Sequence, residues 1–237
     1  MNRFVLIEKI VFSRSSFAQC ALPNDIEELE QAVIQMGLVD RPVIVLIGGH
    51  ILPEHTKLTI QAIDVIAKAA EVLDAAVITD GMDVGVTSAI GRSRGRNGFQ
   101  FPLIGIAPEG IITWPEGSGK GNMVRSLDER EQLEPHHSHF ILVPGSEFGD
   151  ETKWIVRAAS MIASGRSKSL TILVNGGKVS QSDVDEGLRA GRPMIVIAGT
   201  GRLADEIASQ SLRNHLIKII PAHNQRLLGE TIRSLLS

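Results

Sequence analysis

The sequence contains no tyrosine, and aromatic residues make up only 4% of it. It has a single cysteine, Cys20. One thiol excludes an intrachain disulfide framework and a thiolate zinc cluster, and it fits a reducing compartment. Cys20 itself reads as a small apolar filler rather than a nucleophile. An excess of positive charge is also missing. The net charge is −3, so no global field draws nucleic acid. Long apolar runs are missing too. The first one is broken by Glu8 and Lys9, which makes it too short for a signal segment, and nothing approaches the roughly 20 apolar residues of a membrane span. These absences predict a cytoplasmic protein with neither a nucleic-acid nor a membrane partner.

What is present is a regular alternation. Apolar, β-branched runs fall at residues 43–47, 76–79, 103–107, 140–143, 170–174, 194–198 and 216–220. Nearly continuous hydrophobicity at strand length implies burial on both faces. Residues 4–7 offer a further edge strand. Between the runs lie helical stripes, such as Leu58, Ala62, Ile63, Ile66, Ala70 and Leu73. Residues Asn24 and Glu27 suit a helix start, and Gly37 suits its end. Strands alternating with helices predict a single α/β, Rossmann-like domain over 1–237: an open, mostly parallel sheet of about seven strands with helices on both faces. Residues 1–40 form an N-terminal extension, 41–210 the core, and 211–237 a last strand and helix. Residues 113–134 read either as a mobile lid or as a plain surface loop.

Glycines follow nearly every run. Gly48 and Gly49 follow the first, Asp80 and Gly81 the second with Gly85 and Val86 just beyond, and Gly145 and Gly149 the fourth. Gly176 and Gly177 follow the fifth, and Gly199, Thr200 and Gly201 the sixth. In a parallel sheet these turns gather on the carboxyl edge, where open α/β sheets bind ligands. Glycine admits backbone N–H groups close to a ligand, and the helix N-termini that follow favour phosphate. Residues 199–204 fit the G-x-G-x-x-A variant of the dinucleotide fingerprint. The ribose-binding acid expected about 20 residues later is replaced by Ile219, Ile220 and Pro221, which disfavours an ordinary NAD dehydrogenase. Arg202 offers a guanidinium fork suited to phosphate, the alternative being a surface pair with Asp205. Asp80 suits ribose hydroxyls.

Other groups point less sharply. Arg92, Arg94 and Arg96 read as a solvated helix end. His136, His137 and His139 lack zinc-protease spacing and an acid within the cluster, so no metal is expected and structural roles are favoured. Asp150 and Glu151 are the candidate catalytic acids, although carboxylates at a helix start also serve its dipole.

Three stretches carry a resemblance: residues 79–86 (TDGMDVGV), 133–143 (LEPHHSHFILV) and 199–205 (GTGRLAD). In this order they resemble the SLOG superfamily, and within it the prokaryotic proteins similar to the cytosolic N-terminal region of melastatin-type TRP channels, over roughly residues 40–210. The resemblance implies a Rossmann-like fold that senses an ADP-ribose-like nucleotide made from NAD. Arg202 then contacts the ligand, Phe148 packs on a base or ribose, and Thr79 and Gly81 form the Thr-x-Gly turn. A second branch resembles phosphoribohydrolases with a Pro-Gly-Gly-x-Gly-Thr-x-x-Glu motif. Here residues 144–151 read PGSEFGDE, so the second glycine, the threonine and the correctly spaced glutamate are missing. Binding without efficient turnover is therefore favoured, with cleavage of a nucleoside monophosphate's N-glycosidic bond as the alternative. No cofactor is required beyond the nucleotide ligand. A sensor of this kind is expected to act as a homo-oligomer or through an effector protein in trans.

Overall fold

A computed structural model describes residues 5–13, 16–114, 131–165, 168–210 and 214–237. The lid-or-loop question at 113–134 falls mostly on residues 115–130, outside the described residues. Eleven strands and seven α-helices follow in chain order: β1 (Ile7–Val11), β2 (Phe17–Ala21), α1 (Ile26–Gln35), β3 (Val43–Gly48), α2 (Thr56–Leu73), β4 (Ala76–Thr79), α3 (Gly85–Asn97), β5 (Leu103–Pro108), β6 (Ile112–Thr113), β7 (Glu131–Gln132), β8 (His139–Val143), α4 (Thr152–Ile162), β9 (Ser169–Val174), α5 (Lys178–Arg189), β10 (Met194–Ala198), α6 (Arg202–Ser209), β11 (Ile217–Pro221) and α7 (Gln225–Leu236).

Nine strands form the main sheet in the order β1-β2-β8-β5-β4-β3-β9-β10-β11. All seven apolar runs are in it as parallel strands. The count is nine rather than about seven because a hairpin precedes them. Its edge strand lies at Ile7–Val11 rather than at residues 4–7, and pairs antiparallel with β2. The first helix is capped one residue later than expected. Asp25 accepts the Glu28 N–H at 2.9 Å, and Glu28 reaches back to the Asn24 N–H at 2.8 Å.

Both faces of the sheet are covered, which explains the unbroken apolar runs. Val43, Val45 and Ile47 of β3 pack with α1, α4, α5 and α6, while Ile44 and Leu46 pack with α2, α3 and α7. The chain travels outward through β3, β4, β5 and β8. It then returns across α4 to place β9 on the other flank of β3. The order therefore reverses between β3 and β9, and a crevice opens beyond their carboxyl ends.

Asn175 ties that crevice together. It is buried, and its φ of 53° is a left-handed conformation that asparagine tolerates better than most residues. Its Oδ1 accepts the Gly49 N–H at 2.8 Å, and its Nδ2 donates to the His50 carbonyl at 3.0 Å. Its own N–H donates to Thr200 Oγ1 at 2.9 Å, and its carbonyl accepts the Ala204 N–H at 2.8 Å. One residue thus links the turns after β3, β9 and β10. Asn175→Ala takes the side-chain partner from the Gly49 and Gly176 N–H groups and from the His50 carbonyl and leaves a strained φ, so urea unfolding should show a loss of about 3 kcal/mol. Asn175→Gly, which relieves only the strain, should lose less. A loss from Asn175→Ala within about 0.5 kcal/mol would remove Asn175 from this role.

Candidate functional site

The crevice holds a cavity of about 490 Å³. Its walls come from the turns after β3, β4, β8 and β9, with Arg202 reaching in from the turn after β10. Of the residues singled out from the sequence, Gly48, Gly49, Thr79, Asp80, Phe148, Glu151, Gly177 and Arg202 line it. A second groove of about 400 Å³ adjoins it and is lined by Gly176, Gln181, Leu203 and Glu206. Gly177, Lys178 and Arg202 belong to both walls, so the two spaces meet at a pair of cations.

The remaining predicted residues support the turns from behind. Gly85 sits at φ 53°, and a Cβ there would lie 2.1 Å from the Gly49 carbonyl oxygen. The Val86 N–H donates to that same oxygen at 3.1 Å. Gly85 and Val86 therefore dock α3 onto the β3 turn. Gly81 clears space for Gly105 and the Phe140 ring. Gly145 and Gly149 belong to the turn after β8, where Asp150 accepts the N–H groups of Ser146 and Glu147 at 2.9 and 3.1 Å. Asp150 is thus occupied as a turn cap, whereas its neighbour Glu151 is 4% exposed and faces the cavity.

The turn after β10 departs furthest from its fingerprint. The N–H groups of Gly199 and Gly201 donate to the two carboxylate oxygens of Asp205 at 2.6 and 3.0 Å. Thr200 is buried, and its hydroxyl donates to the Ile197 carbonyl at 2.7 Å. These three residues do not line the cavity. The pairing of Arg202 with Asp205 is also absent, because Asp205 is committed to the turn. Arg202 has a φ of 53°, and its side chain makes no hydrogen bond or ion pair among the described residues. Its guanidinium lies over Gly177, where a Cβ would come within 2.8 Å of Nη2.

Four carboxyl groups line the cavity together with this cation: Asp80, Glu131, Glu151 and Asp183. Burial pushes the Glu151 carboxyl up to about 7, against a hydrogen bond from the Gly149 N–H at 2.8 Å. Burial likewise pushes Asp183 up to about 6, against a bond from Thr152 Oγ1 at 2.6 Å. Asp80 is raised by burial as well, although it accepts Thr87 Oγ1 at 2.6 Å and the Met82 N–H at 3.1 Å. Smaller upward pushes come from the charges of Asp183 and Asp80 on Glu151, of Asp80 on Asp183, and of Glu131 on Asp80. Asp183, Lys178 and Ser180 were not foreseen from sequence. The available signal was the helical spacing of Ser180 and Asp183, three residues apart just after the glycine pair, which puts both on one face of α5.

The histidines form a separate arrangement behind the β4 turn. Glu134, just ahead of the cluster, supplies the acid that the sequence reading found missing. It accepts His136 Nδ1 at 2.5 Å and His137 Nδ1 at 2.9 Å. His139 begins β8, and burial pulls its imidazole down to about 4. No group of three or more ligating side chains that could hold a metal occurs among the described residues. Arg94 donates to the carbonyls of Phe101 and His136, and Arg96 pairs with Asp64.

A doubly wound sheet with a polar cavity at its reversal point is a Rossmann-like α/β domain with the architecture of a small-molecule site. The chain belongs to the family described as "SLOG in TRPM, prokaryote", whose model matches residues 41–231. Solved structures share the fold. The structural-genomics target TM1055 is 14% identical with a TM-score of 0.57, covering 81% of this chain and 99% of its own. The molybdenum cofactor binding protein from the phototrophic bacterium Rippkaea orientalis is 18% identical with a TM-score of 0.54, covering 82% and 96%. Among the described residues no helix is long and apolar enough to cross a membrane.

The raised carboxyls fix a direction of pH dependence. A group whose pKa is higher folded than unfolded stabilises the fold when protonated, and that stability disappears as pH rises through the folded value. Glu151 should therefore make the protein more stable at pH 5 than at pH 8, by about 3 kcal/mol at most. Glu151→Gln should flatten the melting temperature across that interval relative to the parent. An unchanged pH profile would show that Glu151 ionises as freely as an exposed carboxylate.

Proposed function

We propose that this domain binds an ADP-ribose-like nucleotide across the cavity and its adjoining groove, without efficient turnover. The observation that carries the reading is the Arg202 guanidinium, which has no partner among the described residues and is set with Lys178 where the two spaces meet. Two cations at the midpoint of an elongated site suit a diphosphate. The acids of the cavity suit ribose hydroxyls, and Phe148, 54% exposed at the wall, offers an apolar face to a base or ribose. Membership of the SLOG family and a fold relative named for binding a molybdenum cofactor accord with a small-molecule site. Exposed Leu6, Val11 and Phe17 around the β1 edge offer a surface for a second copy or an effector protein.

A cleavage reading has one observation in its favour, the Glu151 carboxyl held near 7, where a general acid or base works well. It predicts free base released from nucleoside monophosphates and lost in Glu151→Gln.

Calorimetry with ADP-ribose, NAD and AMP tests the main reading. Binding should be strongest for ADP-ribose, and at 100 times Kd it should stabilise the fold by about 2.7 kcal/mol. Arg202→Ala should weaken binding at least tenfold while leaving the unliganded melting temperature near the parent value, because no partner among the described residues is lost. Absence of heat with all three ligands at high micromolar protein would sink the proposal.

A further inference from the structure

Behind the cavity wall a buried carboxylate, an imidazole and a hydroxyl stand in series. His137 Nδ1 faces Glu134 Oε2 at 2.9 Å, and His137 Nε2 faces Thr79 Oγ1 at 2.9 Å. The side chains of Glu134 and His137 are 1% and 0% exposed. The fold is carved to admit them. A Cβ on Gly91 would lie 2.1 Å from the Glu134 carboxylate, and one on Gly95 would lie 2.3 Å from the His136 ring. Two glycines inside α3 cost about 1 kcal/mol each relative to alanine. The His137 ring stacks on Phe140 at 5.3 Å, and Phe140 in turn requires glycine at positions 81 and 105. A buried carboxylate held by an imidazole contributes little stability over well-packed apolar groups, so this costly arrangement calls for another role.

The chemistry of the series defines that role. Burial alone would raise Glu134, but the hydrogen bonds from His137 and His136 hold it below the usual carboxylate range. Glu134 is therefore an acceptor, and His137 Nδ1 carries a proton. In the tautomer with its proton on Nδ1, an imidazole presents Nε2 as its acceptor, and across the 2.9 Å contact this draws the Thr79 hydroxyl proton inward. One Thr79 lone pair takes the Gly81 N–H at 3.1 Å. A single lone pair remains, on a residue of the cavity wall.

We infer that Glu134 and His137 act as positioning residues that make Thr79 an acceptor toward the ligand, so that the wall formed by Thr79, Asp80 and Asp183 reads the free hydroxyls of a distal ribose while the phosphates lie at Arg202. This rests on the nucleotide reading above and narrows it to ligands whose distal sugar carries unmodified hydroxyls. A hydroxyl donates to such a wall, whereas a phosphate or a deoxy position there meets unpaired acceptors.

The test compares ADP-ribose with 2″-deoxy-ADP-ribose by calorimetry at pH 8. The parent protein should prefer ADP-ribose by about tenfold, the usual worth of one hydrogen bond denied to a site built for it. Thr79→Ser should keep the preference and Thr79→Val should abolish it, with both ligands bound as the deoxy compound was. His137→Gln, which leaves Thr79 in place but removes the fixed tautomer, should also lower the preference toward unity, and it carries the comparison if Thr79→Val does not fold. Binding of ADP-ribose without discrimination in the parent, or discrimination that survives Thr79→Val or His137→Gln, overturns the inference and leaves the nucleotide reading standing. Failure of ADP-ribose to bind removes both.

Discussion

The structure depends on the Asn175 side chain and backbone, which close three turns onto one another at the reversal point of the sheet. Parallel strands end in turns whose backbone groups have no sheet partner. Those groups must be satisfied by side chains, by one another or by a ligand. Asn175 satisfies several of them at once, and the Val86 N–H and the Asp205 carboxylate satisfy others. The carboxyl edge is consequently finished before any ligand arrives. Its glycines permit turns to pack on turns, as Gly85 does against Gly49. The chemistry left open at the cavity is carried mainly by side chains: Arg202, Lys178, Thr79 and the four acids.

The strands were legible in sequence because burial on both faces leaves an unbroken apolar run. The hairpin was not. The β2 residues Phe17, Ala18, Gln19, Cys20 and Ala21 are small or alternating, and their burial alternates too. In β1, Glu8 and Lys9 sit inside the strand on an edge that tolerates charge. The glycine edge was legible as an edge. Which glycines would face open space was not, because that depends on contacts between positions far apart, such as Gly48 with Val86 and Gly81 with Gly105. Asp150 and Glu151 show the same limit at its sharpest. They are adjacent and chemically alike, yet turn geometry spends one on backbone N–H groups and buries the other in the cavity.

Charge is separated along the site. The acids lie where burial raises their pKa values, and the cations lie at the junction of the two spaces. This separation has a direction, from donors at the junction to acceptors within, and a ligand must match it end to end. An anion entering the acidic end would meet carboxyls whose ionisation burial already disfavours, whereas an anion at the junction meets a guanidinium that has no partner among the described residues. Binding energy and orientation therefore come from the same groups.

The β10 turn shows why motif and mechanism part here. A G-x-G turn binds phosphate when its N–H groups point outward to an empty space. In this chain Asp205, within the first turn of α6, reaches back and fills that place with its own carboxylate at 2.6 and 3.0 Å. A phosphate at those N–H groups would have to displace an internal anion and then sit beside it. The left-handed backbone at Arg202 supplies an alternative, since it coincides with a guanidinium set over Gly177 rather than paired with Asp205. Anion recognition passes from backbone dipole to side chain. The pattern of glycines is kept because the turn must still be tight, while the donor left free of the turn is the side chain of Arg202, directly after the fingerprint's second glycine.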